Sequence, residues 1–225
     1  MKHNSIKKYI FLIGVLFLFP LSWLLFFGVA GEHNFSTLPY YGSYTIDANS
    51  GDTLYKKLPE FSFINQDGIQ FHSDSLKGKV WLASFYSTNN KYIGKITRRL
   101  LWPNFKYRNE EDIYQVSFSM DTEYDTPEVL KTYIDDATKY NQFEGKWQFL
   151  TGDQEKIHEL IRSGFEHQDL ENTSVVFLVD TEGYVRGRYE GNREDEIKDA
   201  IEDIALLKKE IDKKEYDRRK AAEQN

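Results

Sequence analysis

The chain has 225 residues, 40% hydrophobic and 16% aromatic, enough for one compact domain with an anchor and tails and too apolar for global disorder. Net charge is −7, and the three lysines of the first thirty residues, Lys2, Lys7 and Lys8, leave −10 for the rest; that balance excludes nucleic acid, whose phosphates need a dominant basic face. Cysteine is absent and methionine is limited to Met1 and Met120, which excludes disulfides, thiolate nucleophiles, cysteine-held metal centres and a thioether site for Cu(I).

In chain order, residues 1–8 form a basic flank, and 9–30, from Tyr9 to Ala30, run for twenty-two residues without a charge. At about 1.5 Å per helical residue that run reaches roughly 33 Å, enough for a bilayer core even with a kink at Pro20. The lysine flank stays cytoplasmic and sends the C-terminus across, so a single-pass protein of a bacterial inner membrane with a periplasmic domain is expected. A cleaved signal peptide is the alternative, with Gly28, Val29 and Ala30 as small residues at the cleavage site. Either way the domain lies outside the cytoplasm. No lipobox cysteine exists, so a lipoprotein is excluded.

Residues 31–57, rich in Gly, Ser, Thr, Asn and Tyr without a sustained period, are expected to form a tether, with ordering confined to where it meets the domain. The domain then begins at Leu58. Phe61–Ile64 and Ile69–Phe71 flank an Asp67-Gly68 turn and predict a hairpin. Val80–Tyr86 is a near-continuous apolar run, expected as a central strand covered on both faces. A helix over 91–102 ending at Pro103, a strand over 113–118 and a helix from Pro127 to about Tyr140, capped by Thr126, follow. Then come a short strand at 147–150, a helix capped by Asp153 to about Ser163, and a hairpin of 174–179 and 184–189 around Glu182-Gly183. The closing helix, 193–207, carries Ile197, Ile201, Ile204 and Leu207 on one stripe. Hairpin, βαβαβ, hairpin and helix make an α/β fold of the thioredoxin type, a central mixed sheet flanked by helices, over 58–207. Residues 208–225 are almost wholly charged or polar, and a frayed helix or a disordered tail is expected there.

Four stretches carry a further likeness: Gly78–Ala83, Ser119–Glu128, Trp147–Gly152, and Thr173–Asp180 with Gly183. In this order, behind an apolar N-terminal run, they resemble the Sco/SenC family, thioredoxin-like copper chaperones of cytochrome oxidase assembly. The resemblance covers about Leu58 to Leu207. It implies a copper site made of two cysteines spaced i, i+4 after the first central strand and one histidine just before the last hairpin. By position these ligands fall on Asn90, Gly94 and Asn172. Amide oxygens are hard, neutral donors and glycine offers none, so the resemblance implies a degenerate site without metal, and no cofactor is expected.

Other residues offer other chemistry. His72, His158 and His167 are the histidines beyond the tether, and His167, five residues before Asn172, is placed to turn toward the degenerate site. Together with carboxylates it would make a metal carrier or an enzyme, although no two histidines are spaced i, i+4. Asp121 and Asp125 suggest a carboxylate pair for acid–base work or a hard cation; their bland reading is a loop in which Asp125 and Thr126 start the next helix. Lys91, Lys95, Arg98 and Arg99 crowd the start of the helix after the central strand, with Lys106 and Arg108 beyond. Cations there oppose the helix dipole, and the cluster is a candidate contact for an acidic partner or anionic headgroups, against the bland reading of a solvated face. The Asn34-Phe35-Ser36 and Asn172-Thr173-Ser174 sequons are read as chance. The expected function is therefore non-enzymatic: a membrane-anchored protein acting by contact with an unidentified partner in respiratory oxidase biogenesis. A metal carrier or enzyme using His167, and a structural subunit of a membrane complex, are the alternatives.

Overall fold

The computed structural model describes residues 37–138 and 146–223, together with Gly14 and Leu16, which are helical. The chain divides into two units, Met1–Ser36 and Thr37–Asn225, and every described strand belongs to the second. The expected span, 9–30, lies outside the described residues apart from those two positions. Among the described residues no helix is long and apolar enough to cross a membrane.

The strands are β1 (Tyr44–Ile46), β2 (Thr53–Tyr55), β3 (Ser62–Asn65), β4 (Gln70–His72), β5 (Val80–Tyr86), β6 (Ile113–Ser119), β7 (Trp147–Thr151), β8 (Val175–Val179) and β9 (Val185–Glu190). The helices are α1 (Ile93–Lys106), α2 (Pro127–Thr138), α3 (Gln154–Glu159), continued by a wider turn over Leu160–Gly164, and α4 (Glu194–Glu223). Seven strands form one mixed sheet in the order β4-β3-β7-β6-β5-β8-β9, with β5 parallel to β6 and antiparallel to β8. All seven residues of β5 are buried, as its apolar run requires.

Alternation along β5 divides the core. Val80, Leu82 and Tyr86 face one layer with Ile96 and Leu100 of α1, Leu130 and Ile134 of α2, and the Ile197–Leu207 stripe of α4. Trp81, Ala83 and Phe85 face the other, with Phe61, Phe63, Phe118, Phe165 and α3. This is the layered α/β sandwich that the sequence predicts.

Three stretches differ from expectation. The segment assigned as tether is built into the domain from Leu38 onward: Leu38 is buried, and Tyr41 N–H donates to Val185 O at 2.9 Å. Its β1–β2 hairpin turns where the Asp47 carboxylate accepts from Asn49 N and Ser50 N at 2.7 and 3.0 Å, and it closes through Gly51 at φ +76°. The Ser43 backbone and hydroxyl both donate to the Glu166 carboxylate, which fastens the hairpin to the turn after α3.

Pro103, expected to stop α1, lies inside it. Its ring is buried beside Leu82, Ile113 and Ile204, so packing offsets the lost N–H, and the helix closes one turn later through Tyr107 N–H to Pro103 O at 3.0 Å.

The last departure is the length of α4, which runs to Glu223, past the expected end near Leu207; of the two readings of the tail, the helical one holds. Pairs spaced i, i+4 brace the extension, Glu210–Lys214 at 3.0 Å and Glu215–Arg219 at 3.2 Å. Glu210 is itself buried against Arg186 of β9, so the stretch read as solvated begins with a core residue.

Candidate functional site

Sheet register gathers the three degenerate positions at one end of the sheet. Asn90 lies in the loop after β5 and Gly94 in the first turn of α1, while Asn172 lies in the loop before β8. Ser84 of β5 pairs with Val176 of β8, so the exit of one strand adjoins the entry of the other. Gly191 joins this end: its N–H donates to Ser174 O at 2.6 Å, and a Cβ on it would meet that oxygen at 2.8 Å and the Ile96 side chain at 3.2 Å. Only glycine fits so close an approach between β9, the Ser174 backbone and α1.

Each amide is spent on its own turn. Asn90 Oδ1 accepts from Tyr92 N at 2.9 Å, which shapes the entry to α1. Asn172 Oδ1 accepts from Ser174 N at 3.1 Å and Ser174 Oγ at 2.6 Å. Nothing lies within 4 Å of the place where a Gly94 Cβ would stand, so that position is open and carries no donor. Two committed amide oxygens and an empty position do not fit a soft metal such as Cu(I).

His167 does turn toward this end, but its ring is already engaged within the fold. Its ring is buried, stacks on Phe85 with centroids 5.9 Å apart at 7°, and meets Phe177 edge-on. Its Nε2 donates to Asn172 O at 3.1 Å, so that nitrogen holds the loop in place of a metal. Among the described residues no three His, Asp or Glu side chains converge as a metal site would need.

Asp125 does more than start a helix, which is a correction to its expected role. Thr126 serves as the cap, its Oγ1 accepting from Val129 N at 3.4 Å. The Asp125 carboxylate is instead fully buried and accepts from Ser119 Oγ at 2.6 Å, from Thr88 N at 3.1 Å, and from Thr88 Oγ1. Thr88 stands two residues before Asn90, so Asp125 pins the loop that carries the degenerate positions. Burial pushes its pKa up, against the hydrogen bonds from Ser119 and Thr88 that hold it down. Asp121 does not pair with it; the Asp121 carbonyl accepts from Asp125 N at 2.9 Å and closes a turn.

The cations lie on the outer face of α1. Lys91, Lys95 and Arg98 are exposed and Arg99 half-buried, while Ile93, Ile96, Thr97 and Leu100 point inward. The helix begins without a side-chain cap and without an acid in its first turn. Thr97 Oγ1 and Tyr133 OH, 2.6 Å apart, tie α1 to α2 and fix which face remains outside. Lys95, Arg98, Arg99 and Trp102 border an open groove of about 490 Å³ that ends at Glu194 of α4.

Known proteins place this geometry among relatives. The SCO1/SenC family model matches residues 50–208. The SCO1 protein homolog of Bacillus subtilis is 33% identical over 164 residues, which cover 68% of this chain and 83% of that protein. A SCO1/SenC family lipoprotein from Bacillus anthracis superposes with a TM-score of 0.58 at 32% identity, over 67% of this chain and 94% of that one. BsSco, described as a member of the Sco family of cytochrome c oxidase assembly proteins with a disulfide switch, superposes at 0.54 and 32% identity, over 65% and 92%. A disulfide switch needs a pair of cysteines, and this chain has none.

Proposed function

The chain belongs to the SCO1/SenC family, and from that premise we propose that it works in cytochrome c oxidase assembly by contact with a protein partner, without copper or thiol chemistry. The observation that carries this reading is the pairing of a complete fold with a spent site. Asn90 and Asn172 direct their oxygens into their own turns, and Gly94 has nothing to offer. The loop around them is nonetheless held by the buried Asp125 and by His167. Such order without donors suits a surface that is recognised rather than one that reacts.

In this reading residues 9–30 anchor the chain in a bacterial inner membrane, and the domain faces the periplasm. Lys91, Lys95, Arg98 and Arg99, beside the degenerate positions, form a second, basic face open to an acidic partner or to anionic headgroups. The role in oxidase assembly comes from the likeness to BsSco, a member of the Sco family of cytochrome c oxidase assembly proteins.

Co-purification in mild detergent tests the proposal. Recovery of an oxidase subunit or assembly protein, undiminished after metal chelation, is the expected result. Recovery that requires copper, or a chain that comes down alone, would contradict it.

A further inference from the structure

From Ser75 to Asn109 the sequence contains eight cations and no aspartate or glutamate, in a chain with 36 acids. Six of those cations, Lys91, Lys95, Arg98, Arg99, Lys106 and Arg108, lie on α1 or at its ends. Among the described residues none of the six forms a salt bridge; the ion pairs belong to other cations, such as Lys131, Arg186, Arg193, Lys198 and Lys208. Arg99 Nη1 is buried without a hydrogen-bond partner.

Three large aromatic residues share this outer face, Tyr92 at 63%, Trp102 at 43% and Phe105 at 54% exposure. Cations cover their rings: Lys91 over Tyr92 at 4.8 Å, Lys198 over Trp102 at 5.6 Å and Arg108 over Phe105 at 4.2 Å. An acidic protein partner would account for the charges alone. Cations interleaved with Trp, Tyr and Phe along one helix face match an interface between anionic headgroups and acyl chains, where amphipathic rings settle.

Chain length favours the same occupant. Leu38 is buried and its carbonyl accepts from Arg186 at 2.6 Å, so the domain has already begun there. Only residues 31–37 separate it from the apolar run, and so short a stretch spans less than about 30 Å fully extended. A domain so closely leashed meets the bilayer surface continually, and its acidic remainder is repelled by anionic lipid while the α1 face is attracted.

We infer that the outer face of α1 docks on an anionic bilayer surface and holds the domain in a fixed orientation against the membrane, an inference resting on the reading of 9–30 as an anchor. The absence of native cysteine allows a clean test on the full chain. Asn89→Cys and Asn109→Cys flank the face, and Glu155→Cys, exposed on α3 across the sheet, is the reference. Each carries an environment-sensitive dye in chain reconstituted with phosphatidylcholine vesicles, with or without phosphatidylglycerol.

Dyes at 89 and 109 should become shielded from a water-soluble quencher in anionic vesicles alone, and raised salt should reverse this; the dye at 155 should stay accessible. Each cation near such a surface is worth about five-fold in binding, so Lys95→Glu with Arg98→Glu should cut the shielded fraction more than about ten-fold. Dyes that remain accessible in anionic vesicles, shielding that is equal in neutral vesicles, or shielding that survives the double reversal would each overturn the inference. Flotation separates this from failure of the anchor, because an anchored chain floats with neutral vesicles whether or not α1 docks.

Discussion

Arg186 and Arg99 both face a glutamate on α4, and their surroundings could hardly differ more. Arg186, on β9, is 1% exposed and sends its guanidinium to Asp180 at 3.1 Å, to Glu210 at 2.9 Å, and to the carbonyls of Leu38 and Pro39 at 2.6 and 3.2 Å, with the Tyr40 ring 4.1 Å away. Every charge there has a partner, and the cluster ties the start of the domain to its last helix. Arg99, on α1, looks across an open groove at Glu194, whose carboxylate is held first by Lys198 at 2.9 Å. A buried charge must be matched within the fold, whereas the exposed cations beside Arg99 (Lys91, Lys95 and Arg98) form no salt bridge among the described residues and are free for another molecule. The Arg186 region is thus fixed by folding, and the α1 region is kept for contact.

The comparison breaks most visibly at Arg186. Arg186→Leu removes the buried cation from between Asp180 and Glu210 and the donor from two carbonyls, leaving Glu210 only Lys214 and Asp180 only backbone donors, and should cost about 3–5 kcal/mol. Urea unfolding in detergent, followed by tryptophan fluorescence, measures it; a loss below about 1 kcal/mol would mean the cluster is not structural. Asp125→Ala should come next, at about 1–3 kcal/mol, by releasing Thr88 and Ser119.

Asp125 also predicts a dependence on pH, with a definite sign. Burial raises its folded pKa above the ordinary 3.8, so the stability it contributes is fully present below that value and is lost as pH rises through the raised folded pKa. Asp125→Asn removes the titration. The wild type should therefore lose stability relative to the Asp125→Asn variant as pH climbs from below 3.8, and parallel profiles would refute the buried charge. On the α1 face, Lys95→Glu with Arg98→Glu should move stability by no more than about 0.5 kcal/mol. The smallest effect is a gain. Gly94→Ala, in open space near the helix start, should stabilise by about 0.5 kcal/mol in the same unfolding experiment.

The same contrast explains what the sequence disclosed. Val80–Tyr86 and the Ile197–Leu207 stripe were legible because apolar side chains repeat with the period of the element that buries them. Arg186 was not, since Val185-Arg186-Gly187-Arg188 reads as alternation with both arginines outward, and only the distant Glu210 and Asp180 make one inward position tolerable. The extension of α4 was only half legible for the same reason, because a run of charges reads equally as a solvated helix or as a disordered tail. The β1–β2 hairpin had a signal, Tyr-Thr-Ile and Thr-Leu-Tyr around an Asp, Asn, Ser and Gly cluster, hidden by its polar setting. The places of Asn90, Gly94 and Asn172 came from resemblance, and register then gathered them at one end of the sheet. The hold of Asp125 on Thr88, 37 residues away, had no local signature.

The central claim is an intact Sco frame whose metal positions hold no usable donor. Titration with Cu(I) against a competing chelator tests it most directly, on the wild type beside the triple variant Asn90→Cys, Gly94→Cys and Asn172→His. The wild type should take up no stoichiometric copper while the triple variant gains affinity, because the frame that brings the three positions together is already built. Submicromolar binding by the wild type, or none by the correctly folded triple variant, would contradict the account.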